Sequence, residues 1–187
     1  MKFSQKLLCG SLLTLATVGL PQAAHAVTTT ATVKAAVLKP ITLTGGGTID
    51  LGTILTPSTA TFSGTFTVLA AATQTGTFCA SGFSCSGTPA AAMFNIQGTK
   101  SNNIGLNIPL TVTLSLTGYT GGGATPTITL NTVNSVSANN ATGAYTIQLP
   151  NSGTPGLDFY IGGALTLTQA TSSGNYSGTV TVTADYN

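Results

Sequence analysis

Apolar and polar residues alternate with a period of two along most of the chain. The clearest run is IGLNIPLTVTLSLT. It places Ile104, Leu106, Ile108, Leu110, Val112, Leu114 and Leu116 on one side, and Asn107, Pro109, Thr111, Thr113 and Ser115 on the other. Such alternation predicts a half-buried strand. Pro109 cannot donate to a ladder, so it marks an edge, a bulge or a break. Shorter runs follow the same rule: Ile49-Leu51, Phe62-Gly64-Phe66-Val68, Phe94-Ile96, Ile128-Leu130, Tyr145-Ile147-Leu149, Leu157-Phe159-Ile161 and Leu165-Leu167. Gly, Pro, Asn and Ser clusters punctuate them. Gly45-Gly46-Gly47 and Gly121-Gly122-Gly123 read as loops. Beyond residue 26 no segment keeps a helical period. Many short strands with regular turns predict an all-β fold, a sandwich or a barrel.

Two further alternating segments lie near the ends. GNYSGTVTVTADYN (174–187) sets Tyr176, Gly178, Val180, Val182, Ala184 and Tyr186 against Ser177, Thr179, Thr181, Thr183 and Asp185. ATVKAAVLKP (31–40) sets Ala31, Val33, Ala35 and Val37 against Thr32, Lys34, Ala36 and Leu38. The second segment has two readings. It is the first strand of the same sandwich, or a strand made for another molecule.

The first 26 residues read as a secretory signal peptide. Lys2 and Lys6 precede an apolar run from Leu7 to Leu20, and Ala24-His25-Ala26 supplies the cleavage signature, with the cut between Ala26 and Val27. The run is shorter than the roughly 20 apolar residues that span a bilayer, and no later segment would span one. The expected organisation is therefore signal peptide 1–26, N-terminal strand 27–40 and sandwich domain 41–187.

Removing the signal changes the charge picture. The remainder carries Lys34, Lys39 and Lys100 against Asp50, Asp158 and Asp185, and has no Arg, Glu, His or Trp. Only 4% of the chain is charged, against about 25% in an ordinary domain. General acid–base chemistry draws mainly on His, Glu, Asp, Lys, Tyr and Cys, and a Ser–His–Asp triad needs the missing histidine. Zinc sites need clustered His or Cys, and nucleic acid needs a basic surface. Glycosidases usually need two placed carboxylates, and only the three scattered Asp exist. The expectation is a chain with no catalytic residues, no cofactor, no metal and no nucleic-acid partner. Cys79 and Cys85, in CASGFSC, form the remaining pair once the signal has gone. In an exported chain they predict a disulfide, worth about 2 kcal/mol for so short a loop.

The last strand resembles that of pilins assembled by the chaperone–usher route, which carry a penultimate Tyr, alternating apolar residues and a Gly near the strand start. Tyr186, Ala184, Val182, Val180 and Gly174 match. The resemblance implies an immunoglobulin-like sandwich lacking its last strand, with an open groove filled by a chaperone and then by the next subunit's N-terminal strand. The matching stretches IDLGTI (49–54), FNIQG (94–98), LDFYIGGALTL (157–167) and GNYSGTVTVTADYN (174–187) are together similar to the bacterial secreted family called domain of unknown function 4402, whose role is unsettled.

These readings yield two functional expectations. The first is a structural subunit of a fimbria-like surface fibre. It self-associates by donating Ala31, Val33, Ala35 and Val37 to an acceptor row of Val180, Val182, Ala184 and Tyr186. A periplasmic chaperone and an outer-membrane usher serve it on the way to the cell surface. The second is a self-contained secreted sandwich, an adhesin or surface-coat module, in which the two segments pair within one chain.

Overall fold

The computed structural model describes residues 28–76, 78–136, 142–151 and 156–187. The expected signal peptide and its Ala26–Val27 junction lie outside them. The chain divides into two units, 1–36 and 37–187. In the first, residues 28–36 form no strand and are all exposed.

The second unit holds the strands β1 (Thr42–Gly46), β2 (Thr53–Leu55), β3 (Ser63–Val68), β4 (Ser84–Ser86), β5 (Ala92–Gln97), β6 (Asn103–Asn107), β7 (Thr111–Leu116), β8 (Thr127–Asn134), β9 (Ala144–Gln148), β10 (Leu157–Thr168), β11 (Tyr176–Ser177) and β12 (Thr183–Tyr186). Every strand pairing is antiparallel. The larger sheet runs β1-β5-β10-β8-β7-β11, with β3 also on β10; a second sheet runs β12-β6-β9, and β2 and β4 form a ribbon. Among the described residues there is no helix, and so none long and apolar enough to cross a membrane. The fold is an all-β, antiparallel sandwich.

Its core has two parts. Between the sheets, Ile96, Phe159 and Ile161 of the larger sheet meet Ile104, Leu106, Tyr145 and Ile147 of the smaller one. The other cluster, Phe66, Val112, Leu130, Leu165 and Leu167, comes entirely from the larger sheet, which curls over its own inner face. Full burial of a Leu, Ile or Phe contributes about 1.5–3 kcal/mol, more than the net ~1 kcal/mol of a typical hydrogen bond. The period-two pattern therefore decides which face turns inward.

The long run 104–116 is two strands rather than one. β6 belongs to the smaller sheet and β7 to the larger, and the chain changes sheets at Ile108-Pro109-Leu110. Strands that switch sheets do so at bends of this kind. Alternation places Leu110 with Ile108 and Val112, yet Leu110 is 36% exposed while they are buried. The break is held by Thr132, a buried polar residue. Its hydroxyl donates to the Pro109 carbonyl, and its N–H donates to the Leu110 carbonyl at 2.8 Å.

The runs 157–161 and 165–167 do the reverse and fuse into β10. Its first half pairs with β5 and its second half with β3. Gly162 sits at the handover, where any side chain would collide with the Val68 carbonyl. Gly45 and Gly46 close β1 opposite Phe94 and Met93 instead of lying in a loop. A Cβ on Gly45 would approach the Met93 oxygen to 2.5 Å. Gly121–Gly123 does lie in a loop, between β7 and β8. Ile49-Leu51 makes only a bridge, between Asp50 and Ala90. Over 31–37 the predicted strand is absent. Alternation supplies a face, but a ladder also needs a neighbour's backbone.

Candidate assembly site

The last segment runs beside the β6–β7 pair through both sheets. Tyr176 and Ser177 pair with Leu116 and Ser115, and Thr183 to Tyr186 pair with Asn107 to Ile104. From Ser177 to Thr183 is six residues, whereas from Ser115 back to Asn107 is eight. The two extra residues are the bulge at Pro109, and residues 178–182 facing it are not strand. The Pro109 break therefore also divides its partner segment into β11 and β12.

The row Val180, Val182, Ala184 and Tyr186 faces the core and packs on the inter-sheet cluster. Its neighbours on β6 are sealed, with Ile104 at 0% and Leu106 at 2% exposure. The row itself is only half-buried at every position. β12 is the outer strand of its sheet and, among the described residues, pairs with β6 alone. β1 is the outer strand of the larger sheet, and Ile41 and Leu43 are half-buried against the same cluster. Two edge strands thus border one core region and leave part of its apolar surface uncovered. An open edge with such a row is a template for another strand.

Tyr186 anchors one end of this row. Its hydroxyl donates to the Lys39 carbonyl at 2.6 Å and accepts the Thr99 N–H at 2.7 Å. The Lys39 N–H donates to the Thr99 hydroxyl at 2.6 Å. Gly98 lets the ring end approach, since a Cβ there would stand 2.6 Å from the phenolic oxygen. Sequence reasoning singled out Tyr186 but missed Lys39, Gly98 and Thr99 as its partners. The available signal was Gly98 at the end of FNIQG, a glycine directly after an apolar strand.

The candidate donor residues are not part of a strand. Ala31, Val33, Ala35 and Val37 are all exposed, Val33 at 91% and Val37 at 89%. Burial of this kind of side chain would be favourable, and here it is not realised.

Cys79 and Cys85 form the expected disulfide, with Cα atoms 5.8 Å apart. Cys85 pairs with Ile54 in the β2–β4 ribbon. The closed loop carries Phe83, whose ring meets Phe66 edge-on at 5.0 Å and Phe62 at 5.6 Å. Gly64 is the floor under that ring: a Cβ there would lie 2.5 Å from it. The three aspartates lie on separate elements. Asp50 accepts the Gly52 N–H at 2.7 Å, Asp158 accepts the Asn95 side-chain amide at 2.6 Å, and Asp185 is exposed on β12. Among the described residues no group of three His, Cys, Asp or Glu is placed to hold a metal.

An all-β antiparallel sandwich with a half-covered edge is the class that this architecture defines. Residues 41–186 match the model of the family described as a domain of unknown function, DUF4402, and the chain belongs to that family. No curated protein matches the chain.

Proposed function

We propose that this chain is an exported structural subunit of an extracellular, fimbria-like fibre, non-catalytic and without a cofactor, assembled by β-strand donation between copies. The observation that carries the reading is a mismatch within one chain. An apolar row at Val180, Val182, Ala184 and Tyr186 is half-covered, while an alternating segment at Ala31, Val33, Ala35 and Val37 is exposed and unpaired. Strand addition satisfies both: backbone hydrogen bonds supply affinity and alternate side chains supply specificity. The near absence of charge removes long-range repulsion between stacked copies. A periplasmic chaperone and an outer-membrane usher are the partners this route requires, and the cell surface is its end point.

A second reading has one observation behind it. The Tyr186 hydroxyl holds Lys39 beside the end of β12, so the preceding residues of the same chain start close to the open edge. A self-contained surface module would pair them within one copy. The experiment compares the processed chain with a version lacking residues 28–38. Fibre assembly predicts that the shortened chain stays folded, fails to polymerise, and binds a synthetic 28–38 peptide. A shortened chain that polymerises as well as the parent, or that loses stability without gaining peptide binding, rejects donation between copies.

A further inference from the structure

We infer that Lys34 of one copy pairs with Asp185 of the next, and that this ion pair fixes the register in which the donated strand adds to β12. The inference rests on the strand-donation reading above and specifies its geometry.

Apolar alternation alone leaves the register open. Ala31, Val33, Ala35 and Val37 repeat every two residues, so a slip of two still presents an apolar face to the acceptor row. The outward faces break that degeneracy. The outward row of the donor, Thr32, Lys34, Ala36 and Leu38, carries one charge, at Lys34. The outward row of the acceptor, Thr179, Thr181, Thr183 and Asp185, carries one charge of opposite sign, at Asp185. Both residues are exposed. In a chain with only 4% charged residues, few other charges compete for either partner.

Direction follows from the same pairing. With Lys34 across from Asp185 in an antiparallel arrangement, Val33 lies across from Tyr186, Ala35 from Ala184 and Val37 from Val182, so both donor valines meet the acceptor row and only Ala31 falls outside it. A parallel arrangement on the same ion pair seats Ala31, Val33 and Ala35 instead and leaves Val37 outside the row, so it buries one valine rather than two. The antiparallel form is also how every other strand of this fold pairs, and it is slightly the more stable ladder.

The test is a charge swap in the processed chain, read as the protein concentration at half-assembly. Lys34→Asp and Asp185→Lys each put like charges across the strands and raise that concentration about two- to five-fold. The double variant restores it to within about two-fold of the parent, and the single-variant defects shrink in molar salt. A second readout is direct: a Val37→Cys, Val182→Cys chain forms disulfide-linked multimers on assembly, whereas Val37→Cys with Val180→Cys or with Ala184→Cys, the pairs a slip of two would bring together, does not. Assembly with single-variant effects that simply add in the double variant, or crosslinking only at a shifted position, overturns the register while leaving strand donation intact. Loss of donation itself shows separately, as unimpaired assembly of the chain lacking residues 28–38.

Discussion

At the scale of single residues, the tightest arrangement is the one around the Tyr186 hydroxyl. It serves a carbonyl and an N–H that otherwise have to find water, at Lys39 and Thr99. Tyr186→Phe removes both bonds and is expected to lower unfolding free energy by about 1–3 kcal/mol, the usual penalty for orphaning such groups. Gly98→Ala presses a methyl against the same oxygen and toward Leu149, where the gap is 3.1 Å, and is expected to cost about 1–3 kcal/mol as overpacking. Because the closest clash is with the oxygen that Tyr186→Phe removes, the double variant should lose less than the two singles combined. Urea denaturation of the four proteins measures this coupling. Strict additivity would show that Gly98 does not make room for the hydroxyl. Tyr186 was legible in the sequence as a residue of interest. Its partners were not, because they lie on β5's exit turn and on the stretch before β1, brought together only by the register of two different strand pairs.

At the scale of elements, the disulfide loop is more than a stiffened surface turn. It delivers Phe83 onto Phe62 and Phe66, and Cys79 and Cys85 themselves pack on the curled part of the core. Reduction is expected to cost about 2 kcal/mol through the freed loop alone. Phe83→Ala adds its own loss, below the about 3–5 kcal/mol of a fully buried Phe because this ring is only half-buried. If Phe83 is seated by the bridge, reducing the Phe83→Ala protein should cost less than reducing the parent, and thermal unfolding with and without reductant decides it. Strand positions were largely readable here because a period of two needs no tertiary information. Strand boundaries were not. The run 104–116 carries one uninterrupted alternation, and only Pro109 signalled that it would change sheets. The runs on either side of Gly162-Gly163 looked separate because glycine usually weakens a strand. In this fold the pair is what lets β10 pass from β5 to β3, since the Val68 carbonyl occupies the space a side chain would take. Gly162→Ala is therefore expected to unfold the domain or cost several kcal/mol, unlike Gly122→Ala, whose added methyl meets nothing within 4 Å.

At the scale of the whole molecule, the segment before β1 and the edge of β12 are complementary in pattern, and proteolysis separates the free from the paired state. Lys34 is exposed in a stretch without secondary structure, the kind of backbone a protease can draw into its cleft. Lys39 precedes Pro40, a bond trypsin does not cut. Lys100 lies in a tight turn tied down by the Ser101 N–H to the Leu149 carbonyl and the Asn102 N–H to the Thr99 carbonyl. With no arginine in the chain, brief trypsin treatment of the processed monomer should yield one early cut, after Lys34, and a product beginning at Ala35. A donated strand hydrogen-bonded to a neighbour's β12 cannot enter the protease cleft, so assembled material should resist that cut by at least about ten-fold in rate. Mass spectrometry of the released N-terminal peptide, followed over time for monomer and assembly, gives both rates. Equal rates in the two states would mean that residues 28–38 stay free in the assembly, and that copies are joined through some other surface.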